Sequence, residues 1–467
     1  MRIGIVQTLK TLWNVDHHER IKMLFLGGTF FSIIASYTII KDLKDAIFIN
    51  IVGVLSVPVA KSYMIIGIFP LVLLFSILVD KFRRYQLLCY SATFYGVVGL
   101  ISAGVIYYGG LGNRVVAPYS LYWFFGWIYY FYIESFSPFV VSVFWSFLNS
   151  ISTPDNAKKN YGLIVSVSKM GGMVTSGFAW FILSYNNHGQ AALGCTETDI
   201  HCLLIVISSL LLFLVPVIVW KMMHVVPGKF LHGYEQAYRF EKTQSKQGKD
   251  ETGMWSGFVM LLKYPYIFGI FCITFFYETV SVVLSYLRLD IAFSATDSLS
   301  GMSSFLFKTR FITHFIGLII SLLGTRILTM YLGERFSLLL MPVTLGGLMV
   351  WYAFSPTSAA LITVFGVCQA MHYAFSQPVT EALYIPTVKD MKFKSKSWID
   401  TFGKRSARFI GSQFNVFIFR YAAGFVGLAY TIFFTGIIGT WVAVSYALGK
   451  KYEEVIKKGE VIGAEEA

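Results

Sequence analysis

Charge is scarce in this sequence. Asp, Glu, Lys and Arg make up 13% of its 467 residues, whereas soluble globular proteins carry about 25%. Hydrophobic residues reach 56%, the mean hydropathy is +0.63, and apolar runs of about 18 or more residues recur along the chain. This composition excludes a soluble globular domain and predicts a polytopic membrane protein.

The patterns of common catalytic and metal sites are also missing. The five cysteines form no CxxC pair, no histidine cluster suggests a metal, and there is no HExxH, GxSxG or Walker motif. A membrane-bound enzyme or lipid scramblase therefore has no support, and we expect no catalytic activity, cofactor or metal site. Cys195 and Cys202 flank a loop predicted to be external, where an oxidising compartment would allow a disulfide. The sequence leaves that bond open.

The fold class predicted is all-α, with twelve transmembrane helices. The segments are roughly 23–50, 59–80, 86–109, 118–150, 160–185, 202–223, 258–287, 303–328, 336–354, 358–384, 400–425 and 427–448. We number them spans 1 to 12. We expect no cleavable signal peptide, because the first 22 residues are polar and mixed and the next apolar run is long enough to remain as a span.

Basic residues in the loops predict the orientation. After odd-numbered spans, the stretches 51–60, 109–118, 185–201, 290–301 and 355–359 carry one arginine, Arg114, and no lysine, whereas the loops after even-numbered spans include "DKFRR" (80–84) and "KDMKFKSK" (389–396). This asymmetry places both termini in the cytoplasm. It also accounts for much of the net charge of +13, so we expect a lipid bilayer and no nucleic acid as a partner.

A polar linker at 225–256 predicts two halves. The N-terminal half covers 1–224 and the C-terminal half 257–449, each with six spans, and a cytoplasmic tail follows at 450–467. Two six-span halves around a central site are typical of major-facilitator transporters. The stretches "FSILVDKFRRYQ" (75–86) and "LTMYLGERFSLL" (328–339) occupy matching places in the two halves and loosely resemble a facilitator loop motif.

Charged residues inside the spans are the candidate functional residues, because a charge in the bilayer is costly. Lys41, Lys44 and Asp45 share a face if span 1 continues to about residue 50. The alternative is that span 1 ends at Ile40 and the charges lie in external water. Glu134 lies deep in span 4 and is too short to snorkel. It is either a structural ion-pair partner or, as we favour, a gating residue paired with a lysine.

Further charges open or enter other spans: Lys61 in span 2, Glu278 in span 7, Lys308 and Arg310 in span 8, and Lys404, Arg405 and Arg408 before span 11. Those of spans 8 and 11 are either ordinary helix ends or binding residues. Arginines grip phosphate through forked hydrogen bonds, and like charges held so close repel one another unless an anion intervenes. A polyanionic solute fits this chemistry best.

At these residues the chain resembles the ATP/ADP translocases, the nucleotide transporters of obligate intracellular bacteria and plastids. "SYTIIKDLKDAIFIN" (36–50) is similar to the family's pattern N-Y-x-x-L-R-x-x-K-D, and "AKSY" (60–63) to its "LKTY". "ESFSPFVVSVFWSFLN" (134–149) shares the Glu, Phe-Trp and Asn of span 4. "YIPTVKDMKFKSKSWIDTFGKR" (384–405) resembles Y-I-P-L-D-x-D-x-x-V-K-G-x-A-A-x-x-V-x-G-x-R. Val282 stands where the family has a span 7 glutamate, and Arg408 where it has lysine.

The resemblance implies exchange of ATP for ADP by alternating access, in a bacterial inner membrane. We expect a monomer. The implied substrate-binding residues are Lys44, Asp45, Lys61, Glu134, Asn149, Arg405 and Arg408, with Lys41, Glu278, Lys308, Arg310 and Lys404 as further candidates. Proton-coupled or facilitated uptake of another anionic metabolite, such as another nucleoside triphosphate, NAD or a sugar phosphate, stays open.

Overall fold

The computed structural model describes residues 17–64, 67, 70, 82–111, 116–151, 154–188, 195–227, 256–323, 325–384, 386–387, 391, 395–421 and 424–463. Within these residues the secondary structure is helical, apart from a β-bridge between Thr387 and Ile462. This confirms the predicted all-α class.

The α-helices, numbered in chain order, are α1 His17–Val52, α2 Arg84–Gly109, α3 Leu121–Glu134, α4 Ser142–Ser150, α5 Pro154–His188, α6 Glu197–Val225, α7 Ser256–Lys263, α8 Pro265–Ser294, α9 Leu299–Leu323, α10 Thr325–Phe354, α11 Ser358–Met371, α12 Gln377–Ala382, α13 Lys396–Trp398, α14 Lys404–Tyr421 and α15 Val426–Lys458. Three π-helical segments join neighbouring helices: π1 Ser137–Val141, π2 His372–Ser376 and π3 Ile399–Gly403.

Nine helical stretches in the described part of the chain are long and apolar enough to cross a membrane. They fall on predicted spans 1, 3, 4, 6, 7, 8, 9, 10 and 12. Helices α5 and α14 occupy predicted spans 5 and 11, while most of span 2 lies outside the described residues. The protein is therefore a multi-pass membrane protein, and the count of twelve spans stays a prediction.

Helix α1 carries charges deep into an apolar stretch. It runs for 36 residues without a break, about 54 Å at the α-helical rise, well beyond the roughly 30 Å of the hydrocarbon core. It ends before Gly53, whose φ of +109° is a conformation that residues with a Cβ rarely adopt. Lys41, Lys44 and Asp45 thus lie within the helix, as the longer version of span 1 predicts.

Segment π1 follows Glu134 closely. Pro138 lies in its first turn, and proline cannot donate the hydrogen bond that continues an α-helix. The wider π turn takes up this defect, and such turns occur often at functional sites. The carboxylate of Glu134 is therefore presented at the end of α3, next to an irregular turn.

The described residues form two compact units. Unit 1 draws them from 1–60, 66–248 and 292–318, and unit 2 from 61–65, 249–291 and 319–467. In unit 1, α1 packs against α5 and α6, and α2 against α6. The first part of α9 belongs to unit 1 although it follows the linker at 225–256. The predicted halves 1–224 and 257–449 stay a prediction.

Unit 2 has its own apolar core. Helix α10 packs against α15, and Trp441, Phe365 and Leu284 are fully buried in this core. Large apolar side chains such as Leu121, Ile432 and Phe354 are exposed on the outer helix faces. A hydrocarbon solvent accounts for that exposure, in keeping with a lipid bilayer around the helices.

Candidate functional site

Lys44 is the centre of a buried charge cluster in unit 1. Its side chain is 2% exposed, and its Nζ lies 3.2 Å from Asp45 Oδ1. The same nitrogen donates a hydrogen bond to Glu134 Oε1 and lies 4.1 Å from the centre of the Tyr130 ring. We call Lys44, Asp45, Glu134 and Tyr130 the Lys44 cluster. It brings together three of the predicted substrate-binding residues.

The geometry of α3 explains how two partners reach one lysine. Tyr130 and Glu134 are four residues apart, so they lie on the same face of the helix. Phe48, one turn beyond Lys44 on α1, packs at 4.7 Å from the ring of Tyr130 and at 5.3 Å from that of Trp127. This aromatic wall reduces access of water to the lysine, and a less polar surrounding strengthens the ion pairs.

Asp42 makes a second buried ion pair, with Arg310, and it was not among the predicted site residues. Arg310 Nε donates to Asp42 Oδ2 and Nη2 donates to Oδ1, each at 2.8 Å. Asp42 is fully buried and the Arg310 side chain is 11% exposed. This forked pairing fixes the orientation of the guanidinium. Because the partners are 268 residues apart, their meeting depends on the tertiary fold, and no local pattern signals it.

Unit 2 has a corresponding pair on α8 and α14. Arg408 Nε donates to Glu278 Oε2 at 2.8 Å, with the carboxylate 9% and the arginine 51% exposed. Lys404, one turn before Arg408, lies 2.8 Å from Asp400 and also interacts electrostatically with Glu278. Arg405 is half-buried and experiences the positive charge of Arg408. The structure therefore groups Glu278 with the predicted basic residues of span 11.

The other predicted site residues lie elsewhere. Lys61 belongs to the part of the chain that clusters with unit 2. Lys308 is exposed, and its Nζ lies 5.7 Å from the ring of Trp180. Lys41 is half-buried beside the Lys44 cluster, with its Nζ 5.3 Å from the ring of Tyr37. The side chain of Asn149 lies outside the described part of the structure.

A small, partly open pocket lies in unit 2, lined among others by Tyr277, His372 and Lys404. Lys396 donates to Glu381 at its rim. Within the described residues, no group of three His, Cys, Asp or Glu side chains could hold a metal ion.

Cys202 is a free thiol in the structure. Its Sγ is a thiol that donates to the carbonyl oxygen of Ala103 at 3.3 Å. The structure therefore contains no disulfide between it and Cys195.

A model of the TLC ATP/ADP transporter family matches residues 4–452 of the chain. The chain belongs to the TLC ATP/ADP transporter family. Curated relatives extend over nearly its whole length. "ADP,ATP carrier protein 1" of Rickettsia conorii is 20% identical, with 97% of each chain covered. "ADP,ATP carrier protein 2, chloroplastic" of Arabidopsis thaliana is 24% identical, covering 94% of this chain and 76% of that protein. The predicted family is thus confirmed.

Solved structures of other transporters share the fold. A D-xylose-proton symporter superposes with a TM-score of 0.59 at 14% identity, over 91% of this chain and 96% of the symporter. A bacterial homologue of the iron transporter ferroportin gives 0.59 at 13% identity, over 93% and 98%. At such low identity the likeness concerns architecture alone, and it confirms the major-facilitator-like fold predicted for this TLC family member.

Proposed function

We propose that the protein exchanges ATP for ADP across a bacterial inner membrane by alternating access, as a monomeric transporter with both termini in the cytoplasm. The linker at 225–256 then joins two six-helix halves, 1–224 and 257–449. The observation that carries the proposal is the Lys44 cluster, found in a chain of the TLC ATP/ADP transporter family. Relatives in that family are named ADP,ATP carriers.

The ion pairs supply a binding mechanism. Phosphate oxygens accept charge-assisted hydrogen bonds from lysine and arginine as carboxylates do, so nucleotide can replace Glu134 as a partner of Lys44. In unit 2, Arg408 is half-exposed while its partner Glu278 is buried, which leaves the guanidinium accessible to an anion. Each cation thus exchanges one anionic partner for another, and neither is left as an uncompensated buried charge, which would be costly.

The same pairing favours exchange over one-way flow. Without nucleotide, Lys44 is held by two carboxylates and the site is locked in its ion pairs. A bound nucleotide displaces Glu134 from Lys44, and the transporter then changes conformation with the nucleotide bound. An empty site re-forms both ion pairs, and the transporter keeps its conformation until the next nucleotide binds.

Uptake of labelled ATP into proteoliposomes tests this proposal. ADP loaded inside should accelerate ATP entry. Lys44→Gln should abolish ATP entry. Lys221→Gln removes an exposed positive charge, and this control variant should take up ATP as the wild type does. Uptake that ignored internal nucleotide but rose with a proton gradient would refute exchange and favour symport.

A substrate panel tests the alternative of a different anionic metabolite. Competition by unlabelled ATP, ADP, other nucleoside triphosphates, NAD and sugar phosphates would be measured against the same uptake. Stronger competition by NAD or a sugar phosphate than by ATP and ADP would overturn the assignment of the substrate.

A further inference from the structure

The first turns of α9 are held against α5 and α6 by small polar groups. Ser300, Ser303 and Ser304 are three or four residues apart, so they share one face of α9, and the first two are fully buried. Ser304 Oγ lies 2.7 Å from Ser184 Oγ on α5. The loops that lead into α6 and α9 follow predicted spans 5 and 7, so the proposed orientation places these helix ends on the outer side of the membrane.

His201 of α6 is the centre of this contact, and its side chain is fully buried. Its Nδ1 lies 2.7 Å from the carbonyl oxygen of Glu197, and its Nε2 lies 2.8 Å from Ser303 Oγ. A carbonyl oxygen can only accept a hydrogen bond, so Nδ1 carries the hydrogen. In the neutral ring Nε2 then accepts a hydrogen bond from the hydroxyl of Ser303. Both ring nitrogens are therefore satisfied without water and without a charge.

Glu197 adds a second bond between α6 and α9. Its Oε1 accepts a hydrogen bond from the backbone amide of Ser300 at 3.3 Å, and a carboxylate is favourable at the positive end of a helix. Hydrogen bonds between transmembrane helices are individually weak, so a contact built from them can break and form again. We call this set of residues the outer latch: Ser184, Glu197, His201, Ser300, Ser303 and Ser304.

A proton on His201 would oppose the closed latch. The ring is fully buried, so a charge on it would be separated from water, which is costly. Within the described residues, Glu197 is the titratable group that acts on His201 electrostatically, and its half-buried carboxylate offsets only part of this cost. The facing turns of α5 and α9 contribute serine hydroxyls, which carry no charge. An open latch would hydrate the ring, so protonation favours the open form.

We propose that the outer latch holds α9 against α6 on the external side and that a proton on His201 releases it. This inference rests on the alternating access of the proposed function and does not depend on which anion is carried. His201 is a positioning residue, because it acts through α9. Arg310, which pairs with Asp42, follows Ser303 on α9 by seven residues, about two helical turns. Release of the first turns therefore frees the helix that carries this arginine.

Thiol labelling at position 300 measures how often the latch opens. Ser300 is fully buried, and its Oγ makes no hydrogen bond within the described residues, so Ser300→Cys in a background without native cysteines should leave the latch intact. Ala295→Cys, on the exposed turn before α9, corrects for the effect of pH on the thiol and the reagent. The purified full-length protein is labelled in mixed micelles, where no proton gradient exists.

The expected pH dependence follows from one proton. A hydrated imidazole has a pKa of about 6.5, so a proton that binds only the open form should raise its population about tenfold between about pH 8 and about pH 5.5. The labelling rate at position 300, relative to that at position 295, should rise by this factor. His201→Gln should remove the rise. His224→Gln, the same change at an exposed position of α6, is the matched control and should keep it.

Ser303→Ala keeps the test decisive if His201→Gln does not fold, which melting would reveal. It removes the partner of Nε2 and should raise labelling at about pH 8 about fivefold, the equivalent of one hydrogen bond. Labelling that did not change with pH while His201 is present would refute the latch, as would a rise that His201→Gln retained or a rate that Ser303→Ala left unchanged. None of these results would affect ATP uptake driven by internal ADP, whereas uptake that ignored internal ADP would refute the exchange and leave the labelling result standing.

Discussion

Glu134→Gln is the substitution that most directly probes the Lys44 cluster. Removing one partner of a buried ion pair costs about 3–5 kcal/mol when the remaining charge has no other partner. Lys44 keeps Asp45 at 3.2 Å and the ring face of Tyr130, and Glu134 is itself 27% exposed. We therefore expect a smaller loss of unfolding free energy, about 1–3 kcal/mol.

Lys44→Met should cost more than Glu134→Gln. It removes the cation that the carboxylates of Asp45 and Glu134, 7% and 27% exposed, both contact, so we expect a loss of about 3–5 kcal/mol. The double variant Lys44→Met/Glu134→Gln removes both the cation and one of its carboxylate partners. Its cost should fall short of the sum of the single changes by about 1–3 kcal/mol.

Denaturant titration of the purified protein in mixed micelles measures these free energies. Glu460→Gln is the control, because Glu460 lies 3.7 Å from Lys458 and both side chains are more than half exposed. Its loss should stay below about 1 kcal/mol. Single changes that add within about 0.5 kcal/mol, or a Glu134→Gln cost above that of Lys44→Met, would show that the two charges are not coupled as the structure indicates.

Two other predictions concern helix packing and motion. Gly171→Ala should lower the melting temperature by several degrees because its Cβ meets the backbone of α1, whereas Gly28→Ala, with nothing within 4 Å, should not. Cysteine pairs in a background without native cysteines test whether α9 separates from α5 during transport. Two serine pairs have their Oγ atoms 2.7 Å apart, Ser184 with Ser304 and Ser36 with Ser208. A disulfide between cysteines at positions 184 and 304 should stop ATP uptake until the bond is reduced, whereas one between positions 36 and 208 should not. ATP uptake by protein in which the 184–304 cross-link is fully formed would contradict a separation of α9 from α5.

Hydropathy located the helices better than it located their ends. Span 1 is predicted at 23–50, and α1 covers His17–Val52. Span 7 is predicted at 258–287, but α7 ends at Lys263 and α8 continues from Pro265 to Ser294. Proline begins a helix readily, so the chain restarts there. Apolar composition indicates which residues lie in the hydrocarbon core of the bilayer. It carries no information on helical turns that continue outside that core.

The candidate site shows the same division between local and distant information. Asp45 is next to Lys44 in sequence, and a lysine partner for Glu134 was expected from its depth in span 4. Asp42 and Arg310, in contrast, are paired across 268 residues, and the charge of each alone fits an ordinary helix end. Which distant charge meets which is decided by helix packing, and one sequence does not contain that information in any local pattern.

The Lys44 cluster suits the proposed exchange because a buried lysine needs an anionic partner in both the empty and the loaded transporter. A lysine held by two carboxylates is stable without a ligand, so the cluster can persist in an empty transporter, and in the proposed exchange Glu134 gives up its place beside Lys44 when phosphate binds. A cation without any partner in the bilayer is costly, and it would hold a polyanion too tightly to release it. Carboxylate partners that return when the nucleotide leaves therefore allow one site both to bind and to release its substrate.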